Sequence, residues 1–411
     1  MDGLKAAVAA HEAEAIALWR RWVQRETPSG DKRALEILGH AVAAAFESLA
    51  FEAEFVADGG GAHVILRGGD DGHGTKRGQN RAGGWLLLGH LDTVYPRGTA
   101  AQMPWREEGG RFYGPGVMDM KGGIAVAWLA LRAMQDLHQA ASPSAAGSSS
   151  PRRPPAAPAI TILLVSDEET GSAGSRALTE KLARDSGAVL VLEPGGGESG
   201  KLKTARKGIA NFVLRAEGKA AHAGVDFFAG ANAIIELARQ AAGLAGWSQE
   251  AKGITVNCGV IRGGTRSNVV PAEAELVVDA RAWTARDLQA IETRIRALEA
   301  VDPKVRLTVS GGVNRPPMER SAEGTKLFAR AQEAGRAVGV VIEESATGGG
   351  SDGNFTAALG VPTLDGLGVA GGGAHSPGEW AEKKSLGERA MVLARLLAGG
   401  PALAHQDSHR T

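Results

Sequence analysis

The stretch Trp85-Leu86-Leu87-Leu88-Gly89-His90-Leu91-Asp92 is the strongest indication of the fold, a short apolar run that ends on an imidazole and a carboxylate. Residues 160–169 and 188–193 repeat the pattern of an apolar run followed by acids. Continuous apolar runs of this length are typical of strands buried on both faces of a parallel sheet. Charged residues directly after such strands lie at the carboxyl edge of the sheet, where open α/β folds place their sites. The sequence therefore predicts an α/β fold with its chemistry at that edge.

Five candidate metal ligands stand at the ends of such strands or in glycine-rich loops, far apart along the chain. Asp119 lies in the glycine-rich residues 114–123, and a second glycine-rich stretch, residues 371–375, closes on a histidine. An acid after a strand is often only a solvated loop residue, so Asp119 alone would not indicate a metal. The joint set of imidazoles and carboxylates suits zinc or another first-row divalent cation. The candidates are His90, Asp119, Glu169, Glu193 and His375.

The bulk composition excludes several classes of protein. The 411 residues carry a formal net charge of zero, which leaves no global basic field for nucleic acid or an anionic membrane. The single cysteine, Cys258, excludes a multi-thiolate metal site and fits a reducing compartment. No apolar run approaches the roughly 20 residues of a membrane span, and the N-terminus shows no signal-peptide core. We expect a cytoplasmic protein with no nucleic-acid and no membrane partner.

The order of predicted elements indicates two domains. Short apolar strands and amphipathic helices predict a mostly parallel mixed sheet flanked by helices. Between residues 211 and 310 the order becomes strand, helix, strand, strand, helix, strand, which is the ferredoxin-like α+β pattern. We therefore assign residues 1–206 and 316–411 to the two parts of a larger domain, and residues 207–315 to a small domain inserted into it.

Two local expectations concern the larger domain. Residues 139–158 are rich in Ala, Ser and Pro and are predicted to be a disordered surface loop between a helix and a strand. Residues 340–343 (Val-Val-Ile-Glu) come after a predicted helix and are predicted to form a strand.

Seven short motifs, taken in order, resemble those of the M20 family of di-metal peptidases and deacylases. Any one of them would be weak evidence, whereas the ordered set is specific and spans nearly the whole chain. The motif at residues 347–352 places the resemblance nearest to the glutamate carboxypeptidase branch. The resemblance implies a zinc exopeptidase-like catalytic domain with an inserted lid and dimerisation domain. The motifs are residues 90–94, 116–123, 167–172, 192–194, 218–224, 347–352 and 373–377.

The resemblance also implies how the five candidate ligands bind. Asp119 would bridge two metal ions, since one carboxylate can give an oxygen to each. His90 and Glu193 would complete one ion, and Glu169 and His375 the other. The expected cofactor is two zinc ions per subunit, with cobalt or manganese compatible with the same ligands. Two such ions can hold and activate one bridging water for hydrolysis.

Two acids beside the ligands are predicted to take part in catalysis. Asp92 lies two residues after His90, and we expect its carboxylate to accept the other ring N–H and fix the tautomer. The alternative for Asp92 is a simple turn cap. Glu168 precedes Glu169, and adjacent residues of an extended segment point in opposite directions. With Glu169 on the metal, Glu168 would face the water as general base.

The insert is expected to supply the remaining site residues. By resemblance, His222 reaches into the site of the partner subunit and helps to hold the oxyanion, which implies a homodimer formed through the insert. Asn268 and Arg281 match positions that bind the substrate carboxylate, and a guanidinium suits a carboxylate through two parallel hydrogen bonds. Arg315 falls near a further family arginine, with a structural role as the alternative. Gly350 is expected to offer its backbone N–H to the same carboxylate.

These observations leave three hypotheses for function. The first is a di-metal carboxypeptidase that removes a C-terminal, acidic, glutamate-like residue from a small peptide or an N-acyl amino acid. The second is an N-acyl amino acid deacylase of the acetylornithine deacetylase or succinyl-diaminopimelate desuccinylase type, in which only the side-chain pocket differs. The third is a non-catalytic relative that binds a ligand or scaffolds a dimer. The presence of all five ligands and of Glu168 argues against the third.

Overall fold

The computed structural model describes residues 2–57, 61–69, 83–141 and 158–401 of the chain. Short turns of 3-10 or π type cover Val117–Lys121, Glu168–Thr170, Phe227–Ala229 and Glu250–Lys252. Among the described helices, none combines the length and apolarity that crossing a bilayer requires. The α-helices are α1 (Asp2–Val23), α2 (Lys32–Glu47), α3 (Thr99–Gln102), α4 (Gly122–Ala141), α5 (Arg176–Arg184), α6 (Ala233–Ala245), α7 (Ala285–Arg296), α8 (Ala322–Val338), α9 (Gly353–Ala358) and α10 (Lys383–Ala398).

The strands of the described residues fall into four sheets, one of six strands, two of four strands and one of two strands. The strands are β1 (Glu52–Ala57), β2 (Ala62–Gly68), β3 (Gly84–His90), β4 (Arg106–Glu108), β5 (Arg111–Tyr113), β6 (Ile160–Val165), β7 (Ser186–Val191), β8 (Leu202–Arg206), β9 (Gly208–Glu217), β10 (Thr255–Gly263), β11 (Glu273–Ala282), β12 (Arg306–Arg315), β13 (Glu344–Thr347), β14 (Thr363–Leu364), β15 (Gly371–Gly372) and β16 (Trp380–Glu382).

The described residues form two compact units, a core unit and an insert unit. The core unit comprises the described residues up to Thr204, those from Arg320 to Thr347, and those from Ser351 onward. The insert unit comprises Ala205–Glu319 together with Gly348–Gly350. The three glycines thus belong to the insert unit, although they are distant from it in sequence.

The core unit is built on the six-stranded sheet, in the order β1-β2-β6-β3-β7-β14. β3 pairs in parallel with both β6 and β7, and β14 continues in parallel beyond β7. β2 is antiparallel to β6, and β1 is antiparallel to β2 at the edge. The predicted fold class, a mostly parallel mixed sheet flanked by helices, is therefore confirmed.

The strand β3 is apolar from Trp85 to Leu88 because both of its faces are covered. Trp85 and Leu87 belong to the hydrophobic cluster that contains α1, α4 and α10, whereas Leu86 and Leu88 belong to a second cluster with residues of α5. All four side chains are buried. Side chains of a strand alternate between its faces, so a strand between two helix layers has no polar position. Because β3 is parallel to both β6 and β7, the carboxyl ends of these three strands lie side by side.

The insert unit is an antiparallel sheet in the order β10-β11-β9-β12, with α6 and α7 packed on one face. Its elements follow the predicted order of strand, helix, strand, strand, helix, strand. Phe212 and Leu214 of β9 and Leu276 of β11 are buried beneath the helices. β10 and β12 are the two edges of this sheet.

One local prediction was wrong. Residues 340–343 do not form a strand; the strand of this region is β13, which begins at Glu344 and pairs with β8. Only Ile342 of the apolar run is buried, whereas Val341 is 87% exposed, so the run lies in an irregular segment between α8 and β13. Of the predicted loop at residues 139–158, residues 139–141 belong to α4, and residues 142–157 lie outside the described residues.

Candidate metal centre

His90 is the last residue of β3, and its ring is held in one orientation. Its Nδ1 lies 3.0 Å from the backbone carbonyl oxygen of Asp92 and 3.4 Å from the Asp92 Oδ1 atom. The closer acceptor is therefore the carbonyl, whereas the sequence interpretation expected the carboxylate. Either acceptor places the ring proton on Nδ1, which leaves Nε2 with a lone pair for a metal. His90 is almost completely buried.

The Asp92 carboxylate links several segments of the site. It accepts hydrogen bonds from the Ser29 hydroxyl at 2.7 Å, from the Glu168 backbone N–H at 3.2 Å and from the Glu169 backbone N–H at 3.1 Å. Burial raises the pKa of Asp92, but the His90 imidazole above all, together with the Ser29 hydroxyl and the Glu169 N–H, outweighs burial and holds that pKa below its usual value. Asp92 thus orients both the turn that carries Glu168 and Glu169 and the imidazole of His90.

Glu168 and Glu169 lie in the 3-10 turn Glu168–Thr170 after β6, not in an extended segment. The alternation of side chains along a strand therefore does not explain the directions of these two carboxylates. A 3-10 helix has 3.0 residues per turn, so successive side chains are rotated by roughly 120° and still diverge. Glu169 contributes its carboxylate to the ligand cluster, and the geometry of the turn predicts that the Glu168 side chain points in a different direction.

Asp119 lies in the irregular segment Val117–Lys121, which precedes α4 and contains a cis peptide bond between Asp119 and Met120. Its backbone is held by Glu379, which accepts a hydrogen bond from the Asp119 N–H at 3.0 Å. The side chain is thereby free to extend both of its oxygens toward the ligand cluster. Glu193 lies just after β7, and its carbonyl accepts a hydrogen bond from the Gly368 N–H at 2.9 Å.

His375 comes from the opposite end of the sequence, in the loop between β15 and β16. Its backbone takes the left-handed conformation, with φ of 61°, which is uncommon for a residue other than glycine. The ring is about half exposed. Its Nε2 lies 3.3 Å from Asp119 Oδ2 and 3.3 Å from Glu169 Oε2.

The five candidate ligands converge in two groups that share one residue. His90 Nε2 lies 3.3 Å from Asp119 Oδ1 and 3.3 Å from Glu193 Oε1. Asp119 therefore presents one oxygen to His90 and the other to His375. Within each group the donor atoms lie within 4.8 Å of one another. The groups are His90, Asp119 and Glu193, and Asp119, Glu169 and His375.

The donor set fits two divalent cations. Oε1 of Glu169 is buried without a hydrogen-bond partner among the described residues, although such an atom is costly unless something binds it. Three carboxylates packed this closely repel one another, and two dications would turn that repulsion into a net charge of about +1. Imidazole and carboxylate donors match first-row divalent metals.

The titration of the ligands reflects the same crowding of charge. Hydrogen bonds with Asp119 and Glu169 raise the pKa of His375 to about 10. Burial opposes ionisation of Asp119, but the hydrogen bonds with His375 and His90 outweigh it and hold its pKa well below the usual range. Burial is the main cause of the raised pKa of Glu169. The candidate ligands therefore form a strongly anionic cluster, whose electrostatics favour positive charge at this place.

The other five predicted site residues lie in the insert unit. His222 is exposed, and its Nδ1 accepts hydrogen bonds from the N–H groups of Gly224 and Val225 at 3.1 Å each, which leaves Nε2 to donate. Asn268 is exposed in the segment that pairs with the residues around His222. Arg281 is half-buried at the end of β11.

Within the insert unit, three arginines surround the glycine segment Gly348–Gly350. Arg281 donates to the Gly348 carbonyl at 2.8 Å, and Arg206 donates to the carbonyls of Gly349 and Gly350 at 3.1 Å each. Arg315 is buried with its stem against Gly350, where an added Cβ would lie 2.8 Å from Arg315 Cδ. Gly350 is therefore a close-approach glycine.

Sequence reasoning missed three residues that shape these groups. Glu379 holds the Asp119 loop; an acid four residues after His375 was the signal available for it. Asp279 lies two residues before Arg281 on β11, on the same face, and its carboxylate oxygens accept from Arg281 Nε at 2.9 Å and Nη2 at 3.1 Å. Arg206 was predicted only as the last residue before the insert, and no local sequence feature indicates its hydrogen bonds to Gly349 and Gly350.

Comparison with known proteins agrees with this geometry. The profile of peptidase family M20/M25/M40 matches residues 86–399. Carboxypeptidase G2 from Pseudomonas sp. (strain RS-16) is 31% identical over 391 residues, which cover 93% of this chain and 88% of that protein. Acetylornithine deacetylase from Salmonella arizonae is 34% identical over 215 residues, 49% of this chain and 50% of its own length.

Solved structures match over nearly the full length. A tripeptidase from Staphylococcus aureus has a TM-score of 0.72 at 20% identity and covers 94% of this chain and 98% of its own. A Bacillus subtilis protein described as a dinuclear metal binding peptidase from the M20 family has a TM-score of 0.64 at 15% identity and covers 96% and 100%. At these identities the structures establish a shared fold.

Proposed function

The chain belongs to peptidase family M20/M25/M40 and is a hydrolase, and we propose that it removes a C-terminal, acidic, glutamate-like residue from small peptides or N-acyl amino acids. The observation that carries the proposal is the convergence of two ligand groups on Asp119, beside an additional acid, Glu168. A relative that is 31% identical over most of the chain is named for carboxypeptidase activity.

We propose that the two groups hold two zinc ions, with cobalt or manganese as substitutes, because the ligands are imidazoles and carboxylates without thiolates. When bound, these ions would activate a water for attack and would stabilise negative charge that develops on the substrate carbonyl oxygen. Asp92 keeps His90 in the tautomer that binds through Nε2. It also fixes the turn that bears Glu169.

The proposed general base is Glu168. Its backbone N–H donates to Asp92, and from the geometry of the 3-10 turn we expect its side chain to point away from that of the ligand Glu169. Glu168 takes a proton from the attacking water and later gives it to the leaving amide nitrogen. A single carboxylate thus serves both proton transfers.

The proposed preference for a free carboxylate rests on the insert unit. Arg281 is oriented by Asp279 and by the Gly348 carbonyl, so its guanidinium is held in one plane. A planar, oriented guanidinium is suited to a carboxylate through parallel hydrogen bonds. Asn268, Arg315 and the Gly350 N–H are proposed to contribute to the same subsite.

We also propose a homodimer formed through the insert unit, in which His222 acts in the site of the second copy. The edge strand β10 carries exposed Val260 and Ile261, and Ile235 of the neighbouring α6 is exposed as well. An edge strand has unpaired backbone groups that a second copy can pair. His222 stands in an exposed loop with Val225 and Phe228, which are 83% and 88% exposed.

A substrate panel tests the proposed specificity. The zinc-loaded protein is assayed on N-acyl-glutamates, glutamate-terminated dipeptides, N-acetylornithine and N-succinyl-diaminopimelate, with release of the free amino acid as readout. We expect the glutamate compounds to be cleaved with the highest kcat/KM. Preference for N-acetylornithine would favour the deacylase hypothesis, which the acetylornithine deacetylase relative supports over half of the chain. No turnover of any N-acyl amino acid would overturn both.

The same observations bear on a non-catalytic role and on location. A non-catalytic role, the third hypothesis, has no support, because the ligand set and Glu168 are all present in the core unit. The single cysteine, Cys258, is a free thiol, and we propose a cytoplasmic location on that basis, which cell fractionation would check.

A further inference from the structure

Glu379 is a buried carboxylate with its hydrogen-bonding capacity filled. The side chain has no solvent exposure. Its Oε1 accepts from the Met118 N–H at 2.7 Å and the Asp119 N–H at 3.0 Å. Its Oε2 accepts from the Tyr95 hydroxyl at 2.6 Å and the Gly116 N–H at 3.0 Å. Each oxygen therefore has two donors.

The donors and the acceptor come from three loops that carry candidate metal ligands. Tyr95 lies just after the segment of His90 and Asp92, the three backbone N–H groups belong to the loop of Asp119, and Glu379 itself lies four residues after His375. The Tyr95 hydroxyl also lies 3.0 Å from the carbonyl oxygen of Ser376, the residue after His375. One carboxylate thus ties together the loops of both ligand groups.

We propose that Glu379 is a positioning residue of the metal centre, which fixes the backbone of Asp119, the ligand shared by the two groups. The inference rests on the proposed metal centre. Glu379 is not a ligand itself; it acts through Asp119, whose N–H it binds.

A side chain that only anchored the loops would not need to be a buried carboxylate. Burying a carboxylate costs free energy, and here one hydroxyl and three backbone N–H groups offset that cost. A neutral amide at this position would present its own N–H hydrogens to donors. A carboxylate can accept from all four donors at once, so it fixes the loop of Asp119 in a way that an amide of the same size cannot. Such outer hydrogen-bonding partners orient metal ligands and tune affinity.

The chain offers a matched control in Glu236 of the insert unit. Glu236 is also a fully buried carboxylate that accepts hydrogen bonds from two backbone N–H groups, those of Val301 and Asp302, at 2.9 Å each, and one from the Gln240 amide. It belongs to the insert unit and not to the unit that holds the ligand cluster. Glu236→Gln reports the cost of neutralising a buried carboxylate without touching the ligand loops.

The test compares zinc affinity, measured by competition with a chelator, in the wild type, Glu379→Gln and Glu236→Gln. We expect Glu379→Gln to bind zinc roughly 10–100-fold more weakly, the usual effect of losing an outer-shell partner, and Glu236→Gln to match the wild type. The visible spectrum of the cobalt-loaded protein should change in Glu379→Gln only, because the geometry at Asp119 changes.

The outcomes separate the two proposals. A folded Glu379→Gln variant with unchanged affinity and spectrum would overturn the positioning role. A wild type that binds no divalent metal would instead overturn the proposed metal centre. If Glu379→Gln does not fold, Glu379→Asp decides: it keeps the charge but is too short to reach all four donors. Weaker zinc binding by that variant supports the proposal, and wild-type affinity rejects it.

Discussion

At the scale of single residues, the site depends on carboxylates that differ in environment rather than in chemistry. Asp119, Glu169 and Glu193 lie 3.3 Å from imidazole nitrogens, Asp92 accepts from backbone and hydroxyl donors, and Glu379 accepts from donors of two other loops. The same functional group can therefore bind metal, orient an imidazole or position a backbone. Its hydrogen-bond partners decide which of these it does.

Replacing the proposed base should separate metal binding from turnover. Glu168→Gln keeps the size of the side chain but cannot take a proton, so we expect zinc content to be unchanged. Turnover should fall by roughly 10²–10⁴-fold or more, since the same group serves both proton transfers. Zinc content by elemental analysis and kcat on an N-acyl-glutamate are the two measurements. A variant with normal zinc and near-normal kcat would show that another group is the base.

At the scale of elements, the ligands are placed by helices and strands that approach very closely. Gly123, near the start of α4, lies against the end of β7: an added Cβ would be 1.9 Å from the carbonyl oxygen of Leu192, the residue before Glu193. The glycine is thus required for the helix to reach the strand end. Gly123 therefore occupies its position in the motif at residues 116–123 because of helix packing as much as because of chemistry.

Gly123→Ala should destabilise the protein because the helix or the strand end must shift. Overpacking of this kind typically costs about 1–3 kcal/mol, which would appear as a lower midpoint in urea unfolding. Gly243, in α6, is the matched control: it is a helical glycine with nothing within 4 Å of its Cβ position. Gly243→Ala should be neutral or stabilising by up to about 1 kcal/mol. Equal effects of the two variants would contradict the packing argument.

The edge strand β10 offers a prediction about assembly. Val260→Lys places a charge on the proposed interface, so we expect the protein to become monomeric in analytical ultracentrifugation. Because His222 is proposed to act in the second copy, the monomer should also lose activity. Val341→Lys is the control, since Val341 is 87% exposed in the core unit and should leave a dimer intact. A wild type that sediments as a monomer, or an active Val260→Lys monomer, would rule out the role of His222 in trans.

At the scale of the whole molecule, the ligands come from five separated places between His90 and His375. Their convergence requires the complete core unit, including the part of the chain that returns after the insert. We therefore expect metal binding and folding of that unit to be coupled, because cations at the folded cluster would relieve repulsion among its carboxylates.

Removal of metal should accordingly lower stability. Treatment with a chelator is expected to lower the thermal midpoint, and a ligand present at 1,000 times its Kd stabilises by about 4 kcal/mol per site. Readdition of zinc should restore the midpoint. Magnesium should restore it poorly, because it prefers oxygen ligands in octahedral geometry. A thermal midpoint that does not respond to chelator would mean that the cluster holds no metal.

The amino-acid sequence alone was enough to predict the alternation of buried strands with acids, the order of elements in the insert and the identity of the ligand candidates. These are local properties: an apolar run covered on two faces has no polar position, and a charged residue just past the end of such a strand emerges at the sheet edge. The helix-like turn at Glu168 and the absence of a strand at residues 340–343 were not predicted correctly, since packing overrides local propensity.

The folded structure was needed to establish which carboxylates meet and through which oxygens. It brings Glu379 beneath Asp119, joins Asp279 to Arg281, and places residues 348–350 among the arginines of the insert unit. Residues that are hundreds of positions apart come together through the summed packing of many elements, and no short window of sequence contains that information. Hydrogen bonds and repulsion between charges depend on distances of a few ångströms, and only the folded chain sets those distances.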